Sequence, residues 1–305
     1  MTRRIELEKR QLGKTDMKIT VLGYGGAEIG FQNKEASLVS KLLNTALDAG
    51  LNLIDTAECY AESEALIGEA VSHRRGDYYL FTKCGHAWEG SGLESWDIRL
   101  LEQSIDRSLK RLKTDFIDLM QLHTCSEELL QQGKVIEVLN RAKAAGKIRY
   151  MGYSGDNASA KYAIECGAFD TLQTSISIFE QSALEVNLPL ALEKNIGVIV
   201  KRPIGNAVWL HPEKPDNTYV LPYWERMKDL DFGFMQGDSD AIAENALRFT
   251  LSSPGVTTAI VGTSNPERWV KNAEIVRKGA LPKEEYEAIR ARWKAVAKTD
   301  WVGLA

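Results

Sequence analysis

The chain has few cysteines and no long hydrophobic run. Four cysteines among 305 residues are too few for a disulfide framework, so reduced thiols in a cytoplasm are the simplest interpretation. No segment approaches the ~18 uninterrupted apolar residues of a membrane span. The basic start, which includes Arg3 and Arg4, has no apolar stretch after it and does not fit a secretory signal. We therefore expect a cytoplasmic protein that makes no contact with a membrane.

A strong excess of charge of one sign is also missing. The 38 Lys and Arg residues against 42 Asp and Glu residues leave a net charge of −4, which gives no electrostatic reason to bind nucleic acid. A hydrophobic content of 44% and a charged content of 26% exclude a disordered chain. The length suits either two domains or one large barrel. No shift in composition marks a linker, so we expect a single domain over residues 1–305.

Short apolar runs alternate with amphipathic stretches of helical spacing. Eight such runs are typical of buried parallel strands, namely 21–24, 53–55, 79–83, 116–122, 148–153, 171–174, 197–201 and 258–261. Strands and helices in alternation predict an α/β fold, a (β/α)8 TIM barrel, which takes about 250 residues. The residues beyond these roughly 250 are assigned to two additions, a short N-terminal β-hairpin that turns near Gly13 and a long loop after strand 7. We expect the long loop to act as a lid or binding loop. A doubly wound fold is the alternative, but no strand precedes a GxGxxG turn.

Four ionisable side chains follow predicted strands, where a barrel of this kind carries its catalytic groups. Asp55 and then Tyr60 follow the second strand, and Lys83 and His123 end the third and fourth. Taken singly, each is more often a cap, a solvated charge or a buried imidazole. On one rim, they predict proton transfer to a carbonyl oxygen. An ammonium lowers the pKa of a neighbouring phenol, a carboxylate keeps the ammonium charged, and a neutral imidazole orients the carbonyl. The attacking species is then a hydride from a bound cofactor.

The segment GLNLIDTAECY from Gly50 to Tyr60 resembles the strand-two signature of the aldo-keto reductase superfamily. The likeness runs from about Leu12 to Asn272 and continues in order through Lys83, His123, Gly152-Tyr-Ser154, Gln173, Pro203 and the segment 262–268. The resemblance implies a (β/α)8 barrel that binds a dinucleotide without a Rossmann fold. It also implies the roles of a catalytic tetrad: Tyr60 as general acid, Lys83 lowering its pKa, Asp55 paired with Lys83, and His123 orienting the carbonyl.

The dinucleotide implied by the resemblance is expected to be NADP, with NAD possible, for a reason that lies in the residues near Arg268. The residues expected to contact it are Gly25, Gly26, Ser154, Gly155, Gln173, Lys201, Arg202, Ile204, Gly262, Thr263, Ser264, Arg268 and Asn272. Among them, Ser154 and Gln173 match side chains that hold the nicotinamide carboxamide. Asn265-Pro266-Glu267 also has the form of a helix start, and a helix N-terminus suits a phosphate. Arg268 is the kind of donor that recognises a 2′-phosphate, which favours NADP.

Four positions depart from the pattern of that superfamily, one of them Lys271 in place of an acidic residue. Gly155 stands where asparagine is usual, with Asp156 next to it, and Gly262 stands where lysine is common. Lys201 takes the place of the aromatic ring that stacks on the nicotinamide, and Arg202 follows it. What replaces the stacking ring stays open, and the two cations are alternatively expected to face the pyrophosphate.

Two other functions compete with carbonyl reduction. A lysine at a strand end suits a Schiff-base lyase, although Asp55 beside Lys83 would raise the lysine pKa and argues against it. The second alternative function is a dinucleotide-binding sensor of the same fold, with slow or no turnover.

Three cysteines flank the tetrad in sequence, namely Cys59, Cys84 and Cys125, and His86 is near them. Thiols and imidazoles together could form a metal or redox site. Because side chains alternate in direction at a strand end, we interpret the cysteines as packing residues and expect no metal. The oligomeric state is not predicted.

The substrate is expected to be a small-molecule aldehyde or ketone. Tryptophans in the predicted loops are candidates for an aromatic pocket, with ordinary packing as an equal alternative. The pocket residues expected are Trp88, Trp209 and Trp224. Sugar-like, aromatic and aliphatic carbonyls all remain compatible with the sequence.

Overall fold

A closed barrel of eight parallel strands forms the centre of the computed structural model, which describes residues 5–32 and 34–304. The basic residues Arg3 and Arg4 lie outside the described residues. The strands are β1 (Lys9–Gln11), β2 (Lys18–Thr20), β3 (Leu22–Gly25), β4 (Leu53–Asp55), β5 (Tyr79–Cys84), β6 (Ile117–His123), β7 (Ile148–Ser154), β8 (Thr171–Ser175), β9 (Gly197–Lys201) and β10 (Val256–Val261). β1 and β2 pair antiparallel as the predicted hairpin, and β3 to β10 form the barrel, closed by β10 against β3. The predicted (β/α)8 architecture is confirmed.

Helices follow the barrel strands and cover their outer side. They are α1 (Ala27–Phe31), α2 (Ala36–Asp48), α3 (Ser63–Val71), α4 (Ile98–Leu112), α5 (Glu127–Gln131), α6 (Lys134–Ala144), α7 (Asn157–Glu165), α8 (Asn187–Glu193), α9 (Leu221–Leu230), α10 (Ser239–Ser252), α11 (Pro266–Arg277) and α12 (Lys283–Val296). The apolar stripes of helices such as α2 and α4 pack on the strands, which are buried on both faces. Among the described helices, none is long and apolar enough to cross a membrane.

The hairpin closes the N-terminal end of the barrel. Leu12, Met17 and Ile19 are completely buried in one cluster with interior residues such as Phe81. The backbone N–H of Lys14 donates to the carbonyl of Asn195, just before β9 begins. The carboxyl ends of the strands are therefore the end left for a functional site.

The turn of this hairpin depends on a glycine. Gly13 has a φ of +51°, and a Cβ at this position would lie 2.2 Å from the backbone nitrogen of Gly197. We expect Gly13→Ala to destabilise the protein by about 2–4 kcal/mol, because backbone strain and a clash with the main chain add. Gly76→Ala is the matched control, since a Cβ there meets nothing within 4 Å. Denaturant unfolding checks both variants, and equal midpoints would contradict this account of the turn.

The long segment predicted after the seventh barrel strand is present, but it contains secondary structure rather than open loop. It includes a kinked 3₁₀ segment at Gly205–Leu210 and a short one at Gly233–Gln236, together with α9 and α10. Apolar residues of this segment, among them Tyr223 and Phe249, form a second buried cluster with the C-terminal helix. Burial of these residues explains why the segment folds.

Candidate active site

The four side chains of the predicted tetrad meet at the carboxyl ends of β4, β5 and β6. Asp55 ends β4, Lys83 lies one residue before the end of β5, and His123 ends β6. Lys83 Nζ lies 2.5 Å from Asp55 Oδ1 and 5.2 Å from the centre of the Tyr60 ring. The rings of Tyr60 and His123 are 5.7 Å apart, edge to face. The structure therefore brings the four predicted groups into one site.

Lys83 and Asp55 form a buried ion pair that is fully hydrogen-bonded. Each side chain is 1% exposed. Lys83 Nζ also donates to the carbonyl of Thr56 at 2.8 Å. Asp55 Oδ2 accepts from Gln121 Nε2 at 3.1 Å and from Gln173 Nε2 at 2.8 Å. These partners offset the cost of taking both charges out of water.

The surroundings set the protonation of the other two groups. Burial lowers the pKa of Lys83, but Asp55 and Tyr60 outweigh it and leave the pKa raised, so the lysine is a cation. Burial raises the pKa of Tyr60 more than Lys83 lowers it, so Tyr60 is a neutral phenol. The expected lowering by Lys83 is present but is the smaller effect. Burial and then Lys83 hold the pKa of His123 well below its ordinary value, which makes the imidazole neutral.

Two residues expected at the nicotinamide connect directly to the tetrad. His123, Ser154 and Gln173 lie in register across β6, β7 and β8. Ser154 Oγ donates to Gln173 Oε1 at 3.3 Å, and the N–H of Gly155 donates to the Gln173 carbonyl at 3.0 Å. Because the Gln173 amide also bonds Asp55, the predicted carboxamide site and the ion pair share one network.

Lys201, which stands in the sequence where the superfamily usually has an aromatic ring, ends β9 and forms an ion pair. Lys201 Nζ lies 2.9 Å from Asp156 Oδ2. Asp156 also accepts from Thr174 Oγ1 at 2.7 Å and from the N–H of Ser175 at 2.8 Å. These donors and Lys201 outweigh burial and keep the pKa of Asp156 low. Lys201 is thus fixed beside the site as a paired cation.

Arg202 follows with a φ of +56° and is also occupied by protein groups. Its Nε donates to Tyr219 Oη at 2.8 Å, and its Nη1 donates to Ser175 Oγ and to the Leu304 carbonyl. Ile204, two residues on, is half-buried and packs between the two hydrophobic clusters. The C-terminal segment therefore lies against this side of the site.

Glycines bring the ends of β3 and β10 close together. A Cβ on Gly25 would lie 3.4 Å from the backbone nitrogen of Gly262. The N–H of Gly26 donates to the Asp55 carbonyl at 2.7 Å, which ties this edge to the tetrad. Glu28 Oε1 accepts from the backbone and the hydroxyl of Ser264 at 3.2 and 3.0 Å. A narrow backbone cradle thus leads away from Tyr60 toward α11.

The helix start predicted at residues 265–267 is present. Asn265 caps α11 by accepting from the N–H of Glu267 at 2.9 Å, and Pro266 is the first helical residue. On the same helix, Arg268 and Lys271 both bind Asp240, at 2.6 and 3.0 Å. Two cations therefore flank this helix N-terminus at the surface.

The remaining adenosine-side residues face inward. Thr263 is buried, and its carbonyl accepts from Tyr24 Oη at 3.0 Å. Asn272 is buried on the inner face of α11. The bond to Thr263 ties the segment before α11 to β3.

The three predicted pocket tryptophans make contacts with surface elements. Arg107 lies over the Trp88 ring at 4.8 Å. Trp209 Nε1 donates to Ser239 Oγ at 3.0 Å, and Trp224 Nε1 donates to the His211 carbonyl at 3.1 Å. Their role in a substrate pocket stays a prediction.

One residue beside the tetrad, Phe31, was not predicted from the sequence, whereas His86 was noted there only as a neighbour of the cysteines. The Phe31 side chain is 64% exposed, and its ring lies 5.5 Å from that of Tyr60. The His86 ring lies 5.0 Å from that of His123 and 5.9 Å from that of Trp96. Phe31 is the last residue of α1, and no motif in the sequence pointed to it. These contacts place Phe31 beside Tyr60 and His86 beside His123.

Comparison with known proteins gives a consistent result. A family model described as the aldo/keto reductase family matches residues 21–294. The uncharacterized oxidoreductase YqkF of Bacillus subtilis is 29% identical, covering 94% of this chain and 97% of its own. L-galactose dehydrogenase of Arabidopsis thaliana is 26% identical, covering 89% and 88%. The holo form of aldo-keto reductase AKR11C1 from Bacillus halodurans superposes with a TM-score of 0.83 at 27% identity, covering 97% of this chain and 99% of that one.

Proposed function

The chain belongs to the aldo/keto reductase family, and from this we propose that it reduces an aldehyde or ketone to the alcohol with NADPH as hydride donor. The observation that supports the proposal is the arrangement of Tyr60, a buried Lys83–Asp55 pair and a neutral His123 at one rim. Lys83 keeps its proton beside Asp55, which disfavours the Schiff-base alternative because that reaction needs a neutral amine.

The residues present fit a dinucleotide. A Cβ on Gly262 would lie 3.2 Å from the carbonyl oxygen of Gly25, so the backbone here leaves little space for a side chain, which suits close approach of an extended ligand. Ser154 and Gln173 would hold the carboxamide, and the N-terminus of α11 with Arg268 would hold the adenosine phosphate. A reduced nicotinamide bound there supplies the hydride.

The protein groups then move one proton. His123 donates a hydrogen bond from its neutral ring to the carbonyl oxygen and orients it. As the carbonyl carbon takes the hydride, Tyr60 Oη gives its proton to the oxygen, and the product is the alcohol. The phenolate left on Tyr60 is stabilised by the Lys83 cation until it regains a proton from solvent.

The preference for NADPH rests on the cations of α11. We expect Arg268→Ala to weaken NADPH binding by roughly 10–100-fold, because one charge-assisted contact is worth about 1.5–3 kcal/mol. The affinity for NADH, which has no 2′-phosphate, should not change. Titration of the nucleotide by protein fluorescence measures both constants.

Two further variants make this test specific. Asp240 now binds Arg268, so Asp240→Asn should strengthen NADPH binding by removing a competing carboxylate. Arg277→Ala removes an exposed cation at the other end of α11 and should change neither constant. A loss of equal size for both nucleotides in Arg268→Ala would show that this residue does not select the phosphate.

The decisive experiment for the function as a whole is a paired titration with NADPH and NADH followed by a panel of sugar-like, aromatic and aliphatic carbonyls. We expect tight NADPH binding and its oxidation with at least one carbonyl class. Tight binding without oxidation by any carbonyl would favour the sensor instead.

A further inference from the structure

Three side chains with metal-binding atoms meet at the open rim of the barrel. Cys59 follows β4, His86 follows β5, and His123 ends β6, and their ligand atoms all lie within 4.8 Å of one another. All three are half-buried, so they are shielded but still reachable from solvent. Cys84 and Cys125, by contrast, are buried in the hydrophobic core, where they act as packing residues.

Contacts within this group fix the side chains toward each other. Cys59 Sγ lies 3.4 Å from His123 Nδ1, and the two imidazole rings are 5.0 Å apart at an angle of 76°. His86 Nε2 lies 3.3 Å from Thr124 Oγ1. A hydrogen bond to one ring nitrogen orients the ring and leaves the other nitrogen for a ligand, as in many metal sites.

We propose that Cys59, His86 and His123 bind a divalent transition metal ion, with Zn²⁺ as the ion of best fit. One thiolate and two imidazoles are ligands that Zn²⁺ takes in proteins. On binding, the Cys59 thiol gives its proton to solvent, a sulfur–metal bond forms, and no electron is transferred. Three protein ligands leave the fourth tetrahedral position open to water.

Modest side-chain movement closes the site around an ion. With metal bonds of about 2.0–2.3 Å, tetrahedral ligand atoms lie roughly 3.3–3.6 Å apart. The Cys59–His123 separation of 3.4 Å already has this value. The remaining adjustment falls on the His86 ring, which lies at the rim beside Trp96.

The ion also bears on catalysis, because it shares His123 with the proposed mechanism. A metal on His123 uses the imidazole that otherwise orients the carbonyl, so the ion acts as a reversible inhibitor. This consequence rests on the proposed function, whereas the binding site itself does not.

Binding is tested on the full-length, reduced protein with Co²⁺ as a spectroscopic probe and Zn²⁺ in competition with a chromophoric chelator. We expect one equivalent of Co²⁺ to give a thiolate-to-cobalt charge-transfer absorption. This absorption should be absent in Cys59→Ser, and Zn²⁺ affinity should fall at least about 100-fold in Cys59→Ser and in His86→Ala, since even loss of a supporting contact costs 10–100-fold. Circular dichroism and unfolding midpoints confirm that both variants fold.

Matched controls separate this site from other thiols and imidazoles. Cys166 and His211 are exposed and lie on other elements, so Cys166→Ser and His211→Ala should bind both metals as the wild type does. The proposal is overturned if the absorption persists in Cys59→Ser, or if the wild type gives no thiolate band.

Inhibition is measured separately. Zn²⁺ should slow carbonyl reduction in the wild type, a chelator should restore it, and His86→Ala should need roughly 100-fold more Zn²⁺ for half inhibition. Zn²⁺ that binds without slowing turnover would overturn the inhibitory role. If no carbonyl is reduced at all, the proposed function fails while the Co²⁺ absorption still decides the metal site.

Discussion

Tyr60→Phe is expected to lower kcat for carbonyl reduction by roughly 10²–10⁴-fold, the usual contribution of a positioned general acid. The variant removes only the hydroxyl that gives the proton, and the ring keeps its contacts with Phe31 and His123. Cofactor affinity should stay near the wild-type value, because the residues expected to bind the nucleotide are elsewhere. Steady-state kinetics and a nucleotide titration measure the two quantities.

The control for this variant is a tyrosine outside the site. Tyr162 is half-buried on α7, and Tyr162→Phe removes a similar hydroxyl without touching the tetrad. Its turnover should equal that of the wild type. Turnover near the wild-type value in Tyr60→Phe would rule out Tyr60 as the proton donor and with it the mechanism proposed above.

Asp55→Ala is expected to abolish turnover and to destabilise the fold by about 3–5 kcal/mol, because it leaves the buried Lys83 cation without a partner. The same change removes the acceptor for the Gln121 and Gln173 amides. Both effects follow from one carboxylate that carries three buried donors. Denaturant unfolding gives the stability change, and activity is measured where the variant is folded.

A second buried carboxylate, at the other end of the barrel, separates stability from chemistry. Asp118 near the start of β6 binds Arg75 and Arg149, each at 2.6 Å. Asp118→Ala should destabilise the protein less than Asp55→Ala does, because both arginines keep contact with water. The kcat of Asp118→Ala should equal that of the wild type. Unchanged stability in Asp55→Ala would contradict the view that the Lys83 charge depends on this pair.

The barrel was predictable because its strands carry their signal locally. Each of the eight predicted runs overlaps a barrel strand, and 53–55 and 197–201 match β4 and β9 in full. A strand covered on both faces has to be a short apolar run, and that is visible in one sequence. The start of α11 was equally visible, since Asn265 and Pro266 act on their own helix.

What the sequence missed depends on how loops fold back on the barrel. His86 reaches His123 because the chain turns at Gly85, whose φ is +132°. The direction of the Tyr60 pKa could not be deduced either, because it depends on how much burial opposes the Lys83 charge. The helices after β9 escaped detection because their apolar residues serve a second cluster formed with the distant C-terminal helix.

The two oxygens of Asp55 hold two groups that the proposed mechanism uses differently, one for proton transfer and one for binding the nucleotide. One oxygen holds Lys83 and the other holds the Gln173 amide. Under the proposed function, a nicotinamide carboxamide that draws this amide away would leave more negative charge for Lys83 and would change how readily Tyr60 releases its proton. By reciprocity, nucleotide affinity then varies with proton occupancy by the same free energy. Because burial raises the pKa of Tyr60 above its ordinary value, we expect nucleotide affinity to vary with pH through this group only in alkaline solution, and nucleotide titrations over a pH series measure the effect.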